Sequence, residues 1–206
     1  MKTIVFSLTV FSILFFGCKN PNQDAENEIT QDNVTLEKSA ENLASSELNI
    51  NRQVADTIDG GMMLLGPINE EGLNQEPYSV WFEENSKAYT PDMALVEQIQ
   101  PLIKTCYIKV FMGSWCEDSQ REIPALFKLL KLTEFDRNQL EIIAMTHDKD
   151  TPENYEADYE IEFIPTIIFF KDGAELNRIV EYTQESLEQD VLKILKQQPY
   201  TPAYAE

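Results

Sequence analysis

The feature that most restricts the fold of this 206-residue chain is an abrupt change of hydrophobic pattern near its middle. Cys106–Met112 (CYIKVFM) is rich in β-branched and aromatic residues, which is typical of a buried strand. After a short turn, apolar residues recur at helical spacing across residues 117–132. A strand that runs directly into a long amphipathic helix favours an α/β fold.

The remainder of the chain continues this alternation. Further strands are predicted at 62–65, 141–146, 166–170 and 175–182, the last two joined by a hairpin turn at 171–173. Helices are predicted at 77–85 and 91–102, over a short stretch at 152–159, and in a final segment capped by Thr183. The expected architecture is a central mixed sheet flanked by helices, with an N-terminal helical extension over residues 54–90.

The N-terminus has the pattern of an export signal. Lys2 precedes an apolar run at 4–16, which is too short to span a bilayer, and the run ends at Phe16-Gly17-Cys18. A small residue directly before a cysteine resembles the lipobox of bacterial lipoproteins. The resemblance implies that residues 1–17 are a signal peptide and that Cys18 carries the lipid. An uncleaved anchor or an ordinary signal peptide is the alternative.

Charge and composition limit location and partners. Residues 18–53 are polar and acidic, too poor in apolar groups to fold alone, and are expected to be a disordered tether. The folded domain is expected at 54–198, with a frayed tail at 199–206. A net charge of -20 disfavours nucleic acid and anionic lipid headgroups, so the lipid anchor is the expected membrane contact. Lys19 favours the outer membrane of the cell envelope, with the domain facing the periplasm.

Several motifs in order resemble the thioredoxin superfamily. Trp115-Cys116 stands at the strand-to-helix junction, and Pro124 matches the proline that kinks the family's active-site helix. Phe163-Ile164-Pro165-Thr166, followed by the 171–173 hairpin, is similar to the family's second motif, in which the proline is cis. The resemblance covers residues 91–197.

The resemblance implies roles for five residues. Cys116 is expected to attack disulfides, because a thiol at a helix N-terminus faces unpaired N–H groups and the positive end of the dipole. Trp115, Ile164 and Pro165 are expected to dock an extended substrate. Ser119 completes the active-site motif at the position where the family has its second cysteine, and a serine cannot resolve a mixed disulfide. An external thiol would therefore have to release the product.

The other cysteine is not a substitute for the missing one. Cys106 lies ten residues upstream on an extended strand, on the order of 25–30 Å away at ~3.3 Å per residue. A disulfide needs Cα atoms within ~7 Å. Cys106 is therefore expected to be a small buried core residue.

His147, the one histidine, follows a predicted strand at the same sheet edge as Cys116. It is either a partner that activates the thiol or a solvated loop residue. One histidine and one available cysteine are too few for a zinc or copper site, so no metal and no cofactor are expected.

Two functions fit these residues. The first is a thiol–disulfide exchange protein that acts through a single cysteine, as a reductase or isomerase, on the thiols and disulfides of envelope proteins, with an external thiol that releases the mixed disulfide. The second is a non-catalytic module that binds extended polypeptides, with Cys116 incidental. The fold alone does not choose between them.

Overall fold

The computed structural model describes residues 50–205. The expected signal peptide, Cys18 and the tether up to residue 49 lie outside these residues. In chain order the elements are β1 (Gln53–Ala55), β2 (Met62–Leu64), β3 (Gly66–Ile68), α1 (Glu70–Leu73), α2 (Tyr78–Ala88), α3 (Met93–Ile103), β4 (Cys106–Met112), α4 (Glu117–Leu132), a 3-10 turn (Arg137–Gln139), β5 (Leu140–Ala144), β6 (Thr166–Lys171), β7 (Ala174–Val180) and α5 (Leu187–Leu195). Within the described range, no helix has the length and apolar content needed to cross a bilayer.

Five strands form the central sheet in the order β3-β5-β4-β6-β7. Strands β4 and β5 run parallel, and the other neighbours are antiparallel. Strands β1 and β2 form a separate antiparallel hairpin. The expected α/β class with a central mixed sheet flanked by helices is confirmed.

The two faces of the sheet pack against different parts of the chain. Ile108, Val110 and Met112 alternate along β4 onto the face whose core also contains buried residues of α2, α3, α4 and α5. Phe111 points to the other face and packs in a smaller cluster with the chain between β5 and β6. This connection, residues 145–165, returns the chain to the edge where β4 meets α4.

The N-terminal segment contributes to the sheet as well as to the helices. Gly66, with φ of +86°, turns the chain between β2 and β3, and β3 then pairs along the outer edge of β5. Helices α1 and α2 follow. Residues just before the expected boundary at 54 also contact this segment, since the backbone N–H of Asn51 donates to the carbonyl of Pro67 at 2.9 Å.

Two helix predictions were wrong in detail. Residues 152–159 form turns rather than a short helix. The final helix begins after Ser186, not Thr183, because the Ser186 hydroxyl accepts from the backbone N–H of Gln189. The backbone amides of Gln184 and Glu185 are instead taken by the buried carboxylate of Asp190.

The expectation of a frayed tail from residue 199 was also wrong for the described residues. The Tyr200 hydroxyl lies 3.2 Å from the Asp190 carboxylate, and Ala203 is buried. The Tyr204 ring stacks on Phe163 with centroids 4.1 Å apart. Aromatic stacking and a partly buried hydrogen bond offset the entropy of ordering this segment.

Candidate functional site

The strand-to-helix junction presents Cys116. Strand β4 ends at Met112, and the Cys116 backbone N–H closes a tight turn by donating to the Gly113 carbonyl at 3.1 Å. Cys116 has extended φ and ψ, and as the N-cap of α4 it accepts at its carbonyl from Gln120 N–H at 2.9 Å. The thiol is free and partly exposed. Its placement at the start of a 16-residue helix is the one that the sequence predicted.

The second motif lies against this thiol. The peptide bond between Ile164 and Pro165 is cis, and both residues are buried. The Cys116 Sγ lies 3.5 Å from the Ile164 carbonyl oxygen, within reach of a weak S–H donor. The Pro165 carbonyl accepts from the Glu181 backbone N–H at 2.7 Å, which ties this loop to the chain after β7. The structure therefore brings Cys116, Ile164 and Pro165 together.

Ser119 lies behind the junction rather than at the surface. Its side chain is fully buried, and its hydroxyl oxygen accepts from the Gly113 backbone N–H at 3.2 Å. That bond links the first turn of α4 to the end of β4. Serine at this position thus has a structural contact that the sequence motif did not reveal.

Trp115 is held on several sides. Its indole Nε1–H donates to the Met145 carbonyl at 3.0 Å. A Cβ on Gly113 would lie 2.7 Å from the indole Cε2 and 3.0 Å from Ile164 Cδ1, closer than carbon atoms pack. Glycine at position 113 is therefore required for the indole to lie where it does.

His147 fits neither sequence expectation. Its ring stacks on the Trp115 indole, with centroids 3.9 Å apart and planes 19° apart. Within residues 50–205 the hydrogen bonds of its Nε2 go to the carboxylate oxygens of Asp56, at 3.0 and 3.1 Å, and not to Cys116. The imidazole is mostly buried, with 15% of its side chain exposed.

Asp56 was missed by sequence reasoning. The stretch Asp56 to Gly61 predicts a turn, but nothing in it indicates a partner 91 residues away. The hydrogen bond from His147 is the largest influence on the carboxyl group, and it lowers the pKa of Asp56 below its usual value.

Asp56, Asp59 and His147 also form the one group of three within residues 50–205 whose ligand atoms could hold a metal ion, all within 4.8 Å of one another. The expectation of no metal counted histidine and cysteine alone and overlooked the two carboxylates. The 3.0 Å between His147 Nε2 and an Asp56 carboxylate oxygen is the distance of an N–H···O hydrogen bond. In this arrangement the imidazole and the carboxylate therefore bond to each other directly.

The acids beside the thiol are differently engaged. Asp118 pairs with Arg121 at 2.6 Å, and Arg121 also contacts Glu122 at 2.9 Å. Glu117 is exposed to solvent. The Arg121 cation therefore offsets part of the negative charge in the first turn of α4.

At the other end of β4, burial raises the pKa of the Cys106 thiol.

Comparison with known proteins agrees with the motifs. A family model described as Thioredoxin matches residues 73–193, more than half of the chain, and the chain therefore belongs to the thioredoxin family. Thioredoxin H-type 1 of Nicotiana tabacum is 30% identical over 83 residues, covering 40% of this chain and 61% of that protein. The chain thus spans less than two thirds of this curated relative.

Solved structures that align with part of this chain have lower sequence identity to it. A protein of unknown function from Pseudomonas aeruginosa is 19% identical, with a TM-score of 0.42 over 57% of this chain and 81% of that chain. Fasciola hepatica thioredoxin is 20% identical, with a TM-score of 0.32 over 52% of this chain and 93% of that chain.

Proposed function

We propose that the chain is a thiol–disulfide exchange protein that acts through Cys116 alone. The observation that carries the proposal is the partly exposed Cys116 thiol at a helix N-terminus, 3.5 Å from the Ile164 carbonyl before cis-Pro165. At the N-cap position of α4 the sulfur lies at the positive end of the helix dipole, which favours the thiolate, and Trp115 and Ile164 pack in the same cluster as Cys116. A partly exposed thiol in this position suits attack on a disulfide in an extended chain.

The reaction has two steps. The Cys116 thiolate attacks one sulfur of a substrate disulfide, which forms a mixed disulfide and expels the other substrate sulfur as a thiolate. An external thiolate then attacks the mixed disulfide, forms a new disulfide with the substrate sulfur and releases Cys116 as a thiolate. Ser119 supports this scheme because its hydroxyl is buried, bonded to Gly113 N–H and unable to resolve the intermediate.

The test uses a peptide disulfide as substrate and glutathione as the external thiol. Cys116→Ser is expected to lower turnover to the uncatalysed background, by at least about 100-fold, because Cys106, the other cysteine within residues 50–205, is buried. Cys106→Ser is the matched control and is expected to stay within about two-fold of the parent protein, since Cys106 is 1% exposed. Equal losses in both variants would contradict the assignment.

The alternative is a non-catalytic module that docks extended polypeptides between Trp115 and Pro165. The missing second cysteine at Ser119 favours it. The same experiment separates the two functions. Peptide binding that survives Cys116→Ser, together with a parent protein that exchanges no disulfide, would favour the binding module.

For location, we propose an envelope lipoprotein anchored through Cys18, with the acidic tether holding the domain off the outer membrane on its periplasmic side. The expected partners are protein thiols and disulfides of that compartment, not nucleic acid. Cys18→Ser is expected to move the protein from the membrane to the soluble fraction. Retention of this variant in the membrane would contradict the anchor.

A further inference from the structure

The strongest unassigned feature is a buried carboxylate beside the candidate site. Asp56 follows β1, and its side chain is 3% exposed. One of its oxygens accepts from the backbone N–H groups of Ile58 and Asp59, at 3.0 and 3.1 Å. The carboxylate is therefore fixed by its own turn before it meets any other part of the chain.

This fixed carboxylate determines where the imidazole of His147 lies. Both Asp56 oxygens lie within 3.1 Å of His147 Nε2. The imidazole in turn stacks on the Trp115 indole at 3.9 Å. The charged groups near the imidazole are Asp56 and Asp59 from the hairpin, with Asp148, Lys149 and Asp150 following it in its own loop.

The hairpin is tied to the site at a second point. The Leu64 backbone N–H donates to the Ser114 hydroxyl at 2.9 Å, in a buried contact between β2 and the turn before Cys116. Asp56 and Leu64 both precede residue 73, where the family match begins. These contacts are thus made by a part of this chain that the family match does not cover.

We propose that the Asp56–His147 pair is a positioning device for Trp115, holding its indole beside Cys116 so that an extended disulfide substrate can dock. This inference rests on the proposed exchange function. The device acts on docking and not on the sulfur, because the described hydrogen bonds of His147 reach Asp56 and its stacking contact reaches Trp115. Losing the device should slow exchange with a peptide while leaving a small reagent's access unchanged.

The experiment uses the full chain with Trp81→Phe, which leaves Trp115 as the single tryptophan. Time-resolved fluorescence anisotropy of Trp115 is measured in this parent and in Asp56→Ala, His147→Ala and the double variant. The rates of exchange with a peptide disulfide and of alkylation by iodoacetamide are measured in the same proteins. Asp59→Ala is the matched control, because Asp59 belongs to the same turn but is 60% exposed and 4.0 Å from His147 Nε2.

The expected result is a rigid indole in the parent and in Asp59→Ala, and added fast motion of the indole in Asp56→Ala and His147→Ala. Peptide exchange should fall about two- to ten-fold in both variants, the range of one aromatic contact. Alkylation should stay within about two-fold. The double variant should be no worse than either single variant, since both remove one device.

An indole as rigid in Asp56→Ala and His147→Ala as in the parent would overturn the proposal. So would an equal effect of Asp59→Ala, or a fall in alkylation that matches the fall in exchange. Asp56→Ala removes a carboxylate that holds the turn of the hairpin and could disrupt it. His147→Ala changes a side chain in the loop after β5 and leaves that turn intact, so it tests the proposal independently. If the parent exchanges no disulfide, the proposed function fails, while the anisotropy still decides the positioning.

Discussion

The two ends of strand β4 carry the same side chain in opposite settings. Cys106, at the start of the strand, is 1% exposed, and its Sγ lies 3.8 Å from the Leu102 carbonyl. Cys116, just past the other end, is partly exposed and faces the Ile164 carbonyl before a cis-proline. Position relative to the sheet, more than residue type, therefore decides which thiol is exposed.

The polar contacts at the two ends differ in the same way. Next to Cys106 they join neighbouring strands, because Glu141 of β5 accepts from the Tyr107 hydroxyl and also pairs, at 3.0 Å, with Lys109 at the middle of β4. Near Cys116 they fix the residues around the thiol: the Ser119 hydroxyl accepts from the Gly113 N–H, and the Trp115 indole N–H donates to the Met145 carbonyl. Changes near Cys106 should therefore alter stability, and changes near Cys116 should alter chemistry.

The largest expected effect comes from restoring the second thiol. Ser119→Cys should let the mixed disulfide on Cys116 resolve within the chain, because the new thiol would attack intramolecularly. Release of the peptide adduct without added glutathione should become at least about 100-fold faster. Ser119→Ala is the control, since it removes the hydroxyl but adds no thiol. An adduct that persists equally in both variants would show that this position does not reach Cys116.

A smaller effect is expected at the Cys106 end. Glu141→Gln leaves the ammonium of Lys109, which is 8% exposed, without its charged partner and weakens the contact with Tyr107. The free energy of unfolding, from urea titration, should fall by about 1–3 kcal/mol, with exchange unchanged. Glu83→Gln breaks an exposed pair with Lys87 and should cost less than about 0.5 kcal/mol. A loss of exchange in Glu141→Gln would break the contrast between the ends.

The smallest effect is expected in the tail. Tyr204→Ala removes the stack on Phe163, which directly precedes Ile164, and should lower the free energy of unfolding by about 0.5–1.5 kcal/mol. Exchange should change by less than about two-fold, because the tail touches the loop and not the thiol. Tyr204→Phe keeps the stack and serves as the control. A ten-fold loss of exchange in Tyr204→Ala would place the tail within the site.

The parts predictable from the sequence are those set by local patterns. The bounds of β4 and α4 were predicted to the residue, because an apolar run, a turn and acids in a first helical turn are all local signals. The cis bond before Pro165 and the burial of Cys106 agree with the resemblance and with the spacing along the strand.

The parts that escaped prediction depend on contacts between distant residues. Asp56 meets His147 across 91 residues, so the turn around Asp56 gives no sign of its partner. Ser186 rather than Thr183 caps α5, because the Asp190 carboxylate takes the amides of Gln184 and Glu185. The tail was predicted to fray as a chain terminus, and the ring that stacks on Tyr204 belongs to Phe163, which is distant in the sequence.

Competitive alkylation of the two thiols is the most direct test of the central claim. The reduced native chain is treated with iodoacetamide at neutral pH, and the label on Cys116 and Cys106 is followed by peptide mass mapping. Cys116 should react at least about 100-fold faster than Cys106 and faster than a free thiol peptide, and the two should react alike in denaturant. Labelling of Cys116 as slow as that of Cys106 in the native protein would contradict the account.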